Sequence, residues 1–374
     1  RYAVLYLLHG AGGDYRTWSD VDHIQALLGD LPVITVMPGG TQDGADGGYT
    51  DWFGLPPGAP GQAPAWESFH IRELVPFIDR HFRTIAAAGG RAIAGISMGG
   101  GGAVKYAAEY PGTFGYAGTF SGEANPLLPL AVAFQTKSCK WGDPATQEVV
   151  WRDNDATNLA RNLRGVRLFV RSGTGAPGPY DPPVPEKGTP AYAIYKARLA
   201  IEYGAHQESA ALVAAARKEG VRSVDARFFP GSHSRPYWQR DTRELVAWLR
   251  GQLRDPPHAP GAIRVLSAHR RFTAWGWAFT AHRRVREFAY LRIDCSRLRI
   301  TGSGLFDVVT PSRYHPGGRY RVRVGARVRA ARADSHGRLR FTVSLGPSHT
   351  VQQRDFGVSA TQTWRIATAT VLSG

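Results

Sequence analysis

The chain reads as an α/β protein, a doubly wound and mostly parallel sheet over residues 1–254, followed by an all-β part. Three observations predict this. Apolar strand-like runs alternate with helix-like stretches up to Arg254, a glycine-flanked serine turn sits between one such strand and helix, and beyond a proline-rich break short strands follow one another with little helix signal.

Taken in order, the predicted strands of the first part are Val4–Leu8, Val33–Met37, Ala92–Ile96, Tyr116–Phe120, Arg167–Arg171 and Ala226–Phe229. Each is short and largely apolar, as strands covered on both faces are. Helical spacing runs over Phe69–Phe82, Gly102–Tyr110, Tyr192–Glu219 and Arg240–Leu253. The segment Asp255-Pro256-Pro257-His258-Ala259-Pro260-Gly261 stops helix and ladder alike, because proline lacks an N–H and fixes φ. It divides the chain into 1–254, a linker 255–261 and an accessory domain 262–374. In the last part Phe272–Thr280, Phe288–Asp294, Arg319–Arg329 and Leu339–Leu345 alternate with Gly/Pro turns, which predicts a small antiparallel sandwich or barrel.

With 374 residues the chain exceeds the size at which a single core usually stops growing. Its 43% hydrophobic and 20% charged residues exclude long disorder, and no apolar run approaches the ~20 residues of a membrane-spanning helix. Arg1 leads straight into a strand pattern without an initiator Met or a signal-peptide layout, so the N-terminus reads as removed. Cys139 and Cys295 allow one disulfide at most and cannot form a metal cluster by themselves; two unpaired, buried thiols are expected. The net charge of +16 is unevenly spread. From Gly261 onward there are 20 arginines, no lysine and five acids, so the basicity belongs to the C-terminal part. Arg319, Arg321, Arg323, Arg327 and Arg329 share one parity, which predicts an arginine row on one strand face and contact with an anionic surface. No zinc-finger, RNA-recognition or basic-helix pattern accompanies it, so specific nucleic-acid binding is not expected.

The most telling stretch is Arg91–Gly102, RAIAGISMGGGG. Gly95-Ile96-Ser97-Met98-Gly99 fits a nucleophile elbow, where strand and helix pass too closely for larger side chains and the serine stands at the bend. A serine hydroxyl needs a neutral imidazole to take its proton and a carboxylate to orient that imidazole. His233, in a loop after the last strand and before the last helix, suits the first role. For the acid, position alone favours Asp181, while Glu202 and Glu208 come later in a helix-rich segment.

Leu7-Leu8-His9-Gly10, Gly47-Gly48-Tyr49-Thr50-Asp51-Trp52, the elbow, Phe114–Gly122, and Gly231-Ser232-His233-Ser234 with Tyr237-Trp238 together resemble the putative esterase family, which includes esterase D-like enzymes and the mycobacterial mycolyltransferases (antigen eighty-five). The resemblance covers about residues 1–254. It implies an α/β-hydrolase fold, a secreted or extracellular location, and a Ser97–Glu202–His233 triad, since Glu202 matches the spacing of the mycolyltransferase acid. No cofactor and no metal are expected. An oxyanion hole takes N–H groups from the residue after the nucleophile and from the loop after the first strand, which names Met98 and Ala11.

By the same resemblance, Tyr49, Asp51 and Trp52 of the loop 44–52 line the substrate pocket. His9 and Arg235 stand where the mycolyltransferases carry an acceptor-contacting Asp and an aromatic residue; both departures favour hydrolysis over transfer to a sugar. The expected activity is that of a serine carboxylesterase acting through an acyl-enzyme on a small-molecule, lipid or polymer ester. An acyltransferase with an alcohol acceptor shares every catalytic residue, and a noncatalytic cell-surface binding protein is the reading from another class.

Overall fold

The computed structural model describes the chain apart from residues 43–44, 56–57, 59, 130, 133–138, 355, 357–362 and 373–374. Eight strands precede residue 230: β1 (Ala3–Leu8), β2 (Val33–Val36), the two-residue β3 (Thr41–Gln42) and β4 (Ala45–Asp46), β5 (Arg91–Ile96), β6 (Tyr116–Phe120), β7 (Arg167–Gly173) and β8 (Val224–Phe229). Six of them form one sheet in the order β2-β1-β5-β6-β7-β8, every neighbouring pair parallel. The helices are α1 (Ile24–Leu28), α2 (Val75–His81), α3 (Met98–Glu109), α4 (Glu148–Asp153), α5 (Pro190–Lys218) and α6 (Arg235–Gln252).

Strand alternation sends the two sides of this sheet into two cores. Val4, Tyr6, Leu8, Ile93, Leu168 and Val170 pack with α2, α3 and α5. Leu5, Leu7, Ala94, Phe120 and Phe169 pack with Ile24 and Leu28 of α1 and Leu245 and Leu249 of α6. All six residues of β1 and of β5 are buried, which is why these strands read as unbroken apolar runs. The sheet is the doubly wound parallel sheet that the alternation predicts, and the fold is the α/β-hydrolase fold that the resemblance implies.

α1 and α4 stand where no helix is predicted, and α6 begins at Arg235, five residues before its predicted start; two further elements differ for a local reason. Over Ser68–Leu74 the chain winds as a π-helix before continuing as α2. α3 begins at Met98, four residues earlier than its periodicity marks, because four consecutive glycines carry no apolar signal. α5 starts where Thr189 accepts a hydrogen bond from the Tyr192 N–H (3.2 Å) and Pro190 occupies the first turn.

Beyond 261 the chain forms two antiparallel sheets. The strands are β9 (Ala262–Ser267), β10 (Arg271–Ala274), β11 (Trp277–His282), β12 (Ala289–Asp294), β13 (Arg297–Gly302), β14 (Leu305–Val309), β15 (Arg319–Val324), β16 (Arg327–Arg332), β17 (Arg340–Ser344) and β18 (Arg365–Leu372). The six-stranded sheet runs β16-β15-β18-β13-β12-β9 and the four-stranded one β10-β11-β14-β17. They close face to face over Val265, Leu291, Ile300, Phe279 and Phe306. The runs 272–280 and 319–329 are each two strands joined by a tight turn, at Trp275-Gly276 and Gly325-Ala326. That second turn corrects the predicted arginine row. Folding back at 325–326 sets Arg327 and Arg329 opposite Val324 and Val322, on the other face from Arg319, Arg321 and Arg323.

The sheets are seated on the α/β part by buried polar contacts. Asn162 donates to Leu266 O and Ala108 O, and accepts from the Leu266 N–H, each at 2.8 Å. Leu266, Ala268 and Phe288 enter the first core. Cys139 and Cys295 are both free as expected, but not buried: Cys139 is half-buried and Cys295, in the turn between β12 and β13, is exposed. Asn162→Ala would leave the Leu266 N–H and C=O buried without partners, at a cost of about 1–3 kcal/mol each. Urea unfolding should register that loss; a stability within 0.5 kcal/mol of wild type, about what an ordinary surface change gives, would contradict the account of this contact.

Candidate active site

Ser97 stands between β5 and α3 at φ 52°, ψ −122°, a left-handed setting that only a crowded turn enforces. The crowding is explicit at two glycines. A Cβ on Gly95 would come within 2.2 Å of Gly99 O, and one on Gly99 within 2.3 Å of Leu8 O. The strain lifts Ser97 Oγ above the sheet's C-terminal edge, where the ends of the parallel strands meet.

There Ser97 Oγ lies 2.8 Å from His233 Nε2, and His233 Nδ1 lies 2.7 Å from Glu202 Oε2. With a carboxylate at Nδ1, that nitrogen carries the proton, and Nε2 is left to accept from the serine hydroxyl. His233 is in the loop after β8, its ring edge against Trp238. Glu202 is on the inner stripe of α5 and is 0% exposed. Its second oxygen receives the Gly173 N–H and the Ser121 hydroxyl (2.7 Å), and Ser172 Oγ lies 3.0 Å away. A buried carboxylate costs several kcal/mol unless its lone pairs are met in this way.

The other acids are elsewhere. Asp181 accepts from the Ser232 and Tyr237 hydroxyls and from the Gly178 N–H, tying its loop to the one that carries His233 without touching the imidazole. Glu208 accepts from the Asn125 N–H at 2.9 Å. Burial, with Glu123 nearby, holds its carboxyl well above the usual carboxylate range.

Met98 opens α3, so its N–H is among the first four of the helix and has no intrahelical partner. Ala11 lies across from it in the Gly10–Gly13 turn, and both line the cleft that holds Ser97. That turn is tied by the neutral imidazole of His9 to the 39–40 backbone, which the neutral imidazole of His70 holds in turn. His9 Nε2 accepts from the Gly40 N–H (2.9 Å), leaving Nδ1 to donate to Gly10 O (2.8 Å). His70 in turn bonds Gly39 O (2.7 Å) and the Tyr106 hydroxyl (3.0 Å), and Tyr49 donates to His9 O (2.9 Å).

The substrate-contact expectations therefore divide. Arg235 lines the cleft and donates to Asp22 at 2.9 Å. His9 and Tyr49 are 0% exposed and act on the turn's backbone. Asp51 is engaged by the Ser68 N–H and hydroxyl, and Trp52 by Gly47 O, so neither reaches the cleft. Gly44 of this loop lies outside the described residues. The sequence reading missed most of the cleft walls: Pro126, Leu128 and Pro129, and Ile201 and Tyr203 of α5, line with Trp141 a volume of about 750 Å³. Ile201 and Tyr203 are more than half exposed, and their spacing sets them apart from the buried stripe that carries Glu202.

Away from this cleft, Glu67, Glu109 and His269 bring possible ligand atoms within 4.8 Å of one another. Lys105 Nζ already stands 3.0 Å from Glu67 and 3.6 Å from Glu109, filling the cation's place.

The model of the family described as Putative esterase matches residues 1–249. The chain belongs to that family. An esterase of Mycobacterium tuberculosis H37Rv is 46% identical over 186 residues, 46% of this chain and 39% of the relative. The diacylglycerol acyltransferase/mycolyltransferase Ag85B of Mycolicibacterium smegmatis is 30% identical over 188 residues, 46% of this chain and 56% of the relative. The chain thus spans about two fifths to just over half the length of these curated relatives. Among solved structures, Mycobacterium tuberculosis MPT51 shares the fold, with 24% identity and a TM-score of 0.52 over 67% of this chain and 89% of its own.

Burial lowers the His70 pKa from 6.5 to about 4 and lowers that of His9 as well. A base depressed in the folded state takes up its proton on unfolding. The stability it permits is full above pH ~6.5 and falls as pH drops toward 4, by up to about 3 kcal/mol for His70. Urea unfolding of wild type and His70→Gln across this window should give the variant a flatter pH dependence; equal slopes would contradict a neutral, buried His70.

Proposed function

We propose that this chain is a serine carboxylesterase, with Ser97 as nucleophile, His233 as base and then acid, Glu202 orienting the imidazole, and Met98 and Ala11 N–H groups receiving the oxyanion. The observation that carries the reading is the unbroken contact from Ser97 Oγ through His233 to a fully buried Glu202. Ser97 Oγ attacks the ester carbonyl as its proton passes to His233 Nε2. Collapse of the tetrahedral intermediate expels the alcohol, which takes that proton. Water, deprotonated by the same imidazole, then attacks the acyl-enzyme and releases the acid. The apolar cleft beside Ser97 supports an ester with an extended acyl chain. Among relatives, the esterase and the acyltransferase would differ only in what attacks the acyl-enzyme. The same reading takes residues 1–254 as the catalytic domain, 255–261 as its linker and 262–374 as an accessory domain, and has the protein act outside the cytoplasm; no helix among the described residues is long and apolar enough to cross a membrane.

Turnover of p-nitrophenyl esters tests the roles. Ser97→Ala should lower kcat/KM by at least ~10⁴ and Glu202→Gln by about 10²–10⁴. Asp181→Asn, acting only on loop position, should cost less than about tenfold. A larger loss from Asp181→Asn than from Glu202→Gln would reverse the assignment. In a series of acyl lengths, kcat/KM should rise from acetyl to octanoyl, up to about fourfold per CH₂ at ~0.8 kcal/mol each, and Ile201→Asp should flatten that rise. An unchanged slope would remove the acyl assignment of the cleft.

A further inference from the structure

The six-stranded antiparallel sheet turns one face onto the four-stranded sheet; on the other, Leu266 of β9 and Tyr290 of β12 pack against the α/β part and the remainder is open. Following the cross-strand pairs, the outward face carries Arg319, Arg321 and Arg323 of β15, Arg332 of β16, Arg297 and Arg299 of β13, Arg292 of β12 and Arg264 of β9. Asp294 is the one acid on it among the described residues. Codon bias does not account for the pattern. The outward face of the four-stranded sheet, from the same stretch of chain, holds only Arg271 and Arg340 beside Asp307.

The arrangement also works against the sheet's own stability. Arg264, Arg292 and Arg299 stand directly opposite one another across three strands, and Arg319 faces Arg332. Like charges in cross-strand register repel. One pair is relieved internally, where Arg292 meets Asp294 at 2.8 Å.

We propose that this face docks the protein on an anionic lipid bilayer. Its charge is spread in two dimensions, on five of the six strands from β9 at one edge to β16 at the other, roughly 24 Å at ~4.8 Å per strand. A planar field of headgroups meets such an array everywhere, whereas a linear polyanion engages a single row. Exposed Val328 and Ile366 lie among the arginines on the same face, apolar contacts that an interface accepts. A single-stranded nucleic acid would call for aromatic platforms, and the one aromatic on this face among the described residues, Tyr290, is covered by the Arg161 guanidinium. The inference does not depend on the chemistry at Ser97.

The test is cosedimentation of the full chain with phosphatidylcholine vesicles, with and without about one-third phosphatidylglycerol, at low salt and at about 0.5 M, where screening is nearly complete beyond ~5 Å. The variant Arg319→Gln/Arg321→Gln/Arg323→Gln is compared with Arg217→Gln/Arg222→Gln/Arg243→Gln, which removes the same charge from exposed positions on the helical side. Thermal midpoints verify that both remain folded. We expect binding only to the anionic vesicles, lost at high salt, weakened about tenfold or more by the face variant and less than about threefold by the control. Equal losses in the two variants, equal binding to neutral vesicles, or tighter binding to soluble oligo-dT than to vesicles would each overturn the proposal.

Discussion

A carboxylate with no access to water has to be met on every side by donors, and the site is arranged around this demand at Glu202. The donors come from the ends of two adjacent strands: Ser121 follows β6, and Ser172 and Gly173 end β7. Ser97 follows β5, and His233 follows β8. Four consecutive strands of the sheet therefore converge on one buried charge, and their parallel alignment is what brings their C-terminal ends to the same edge. Ser121 adopts the same positive φ of 52° as Ser97, and it also accepts from the Trp238 indole N–H at 3.2 Å, linking α6 to the same cluster.

The opposite wall of the cleft is held by groups that stay neutral. His9 ties the Gly10–Gly13 turn to Gly40, and His70 holds the adjoining Gly39, with each ring nitrogen committed to a backbone or phenol partner. Charging His9 would remove the acceptor that the Gly40 N–H uses, and burial lowers its pKa against the opposing pull of the Gly10 carbonyl. The turn that carries Ala11 is thus set by the core and needs no substrate to order it.

Much of this was legible in the sequence. The inner strands β1, β5 and β6 announce themselves because strands buried on both faces are apolar almost without interruption, and the elbow because only glycine fits at 95 and 99. Residues with a short-range signature were legible; those defined by distant partners were not. Position along the chain pointed to Asp181, and the resemblance pointed to Glu202. One physical signal for Glu202 lay in α5 itself: it falls on the stripe of Tyr195, Leu199, Leu212 and Ala216, where a carboxylate is out of place unless it has a use. Tyr49 and Asp51, pocket residues by the resemblance, are bound instead to His9 O and Ser68, partners remote in sequence that no local pattern reveals. The arginine row failed for a comparable reason. Parity along the chain holds within a strand and is reset by the turn at 325–326, so the basic face emerges only from register across all six strands.

The central claim is that Ser97 is a nucleophile activated through His233. Stoichiometric reaction with a p-nitrophenyl alkylphosphonate, followed by mass spectrometry of the digested chain, tests it without any choice of natural substrate. One adduct per chain on the peptide that contains Ser97, released p-nitrophenol in equal amount, and no adduct in His233→Ala is the predicted result. An unmodified Ser97, or modification at another serine with equal efficiency in His233→Ala, would contradict it.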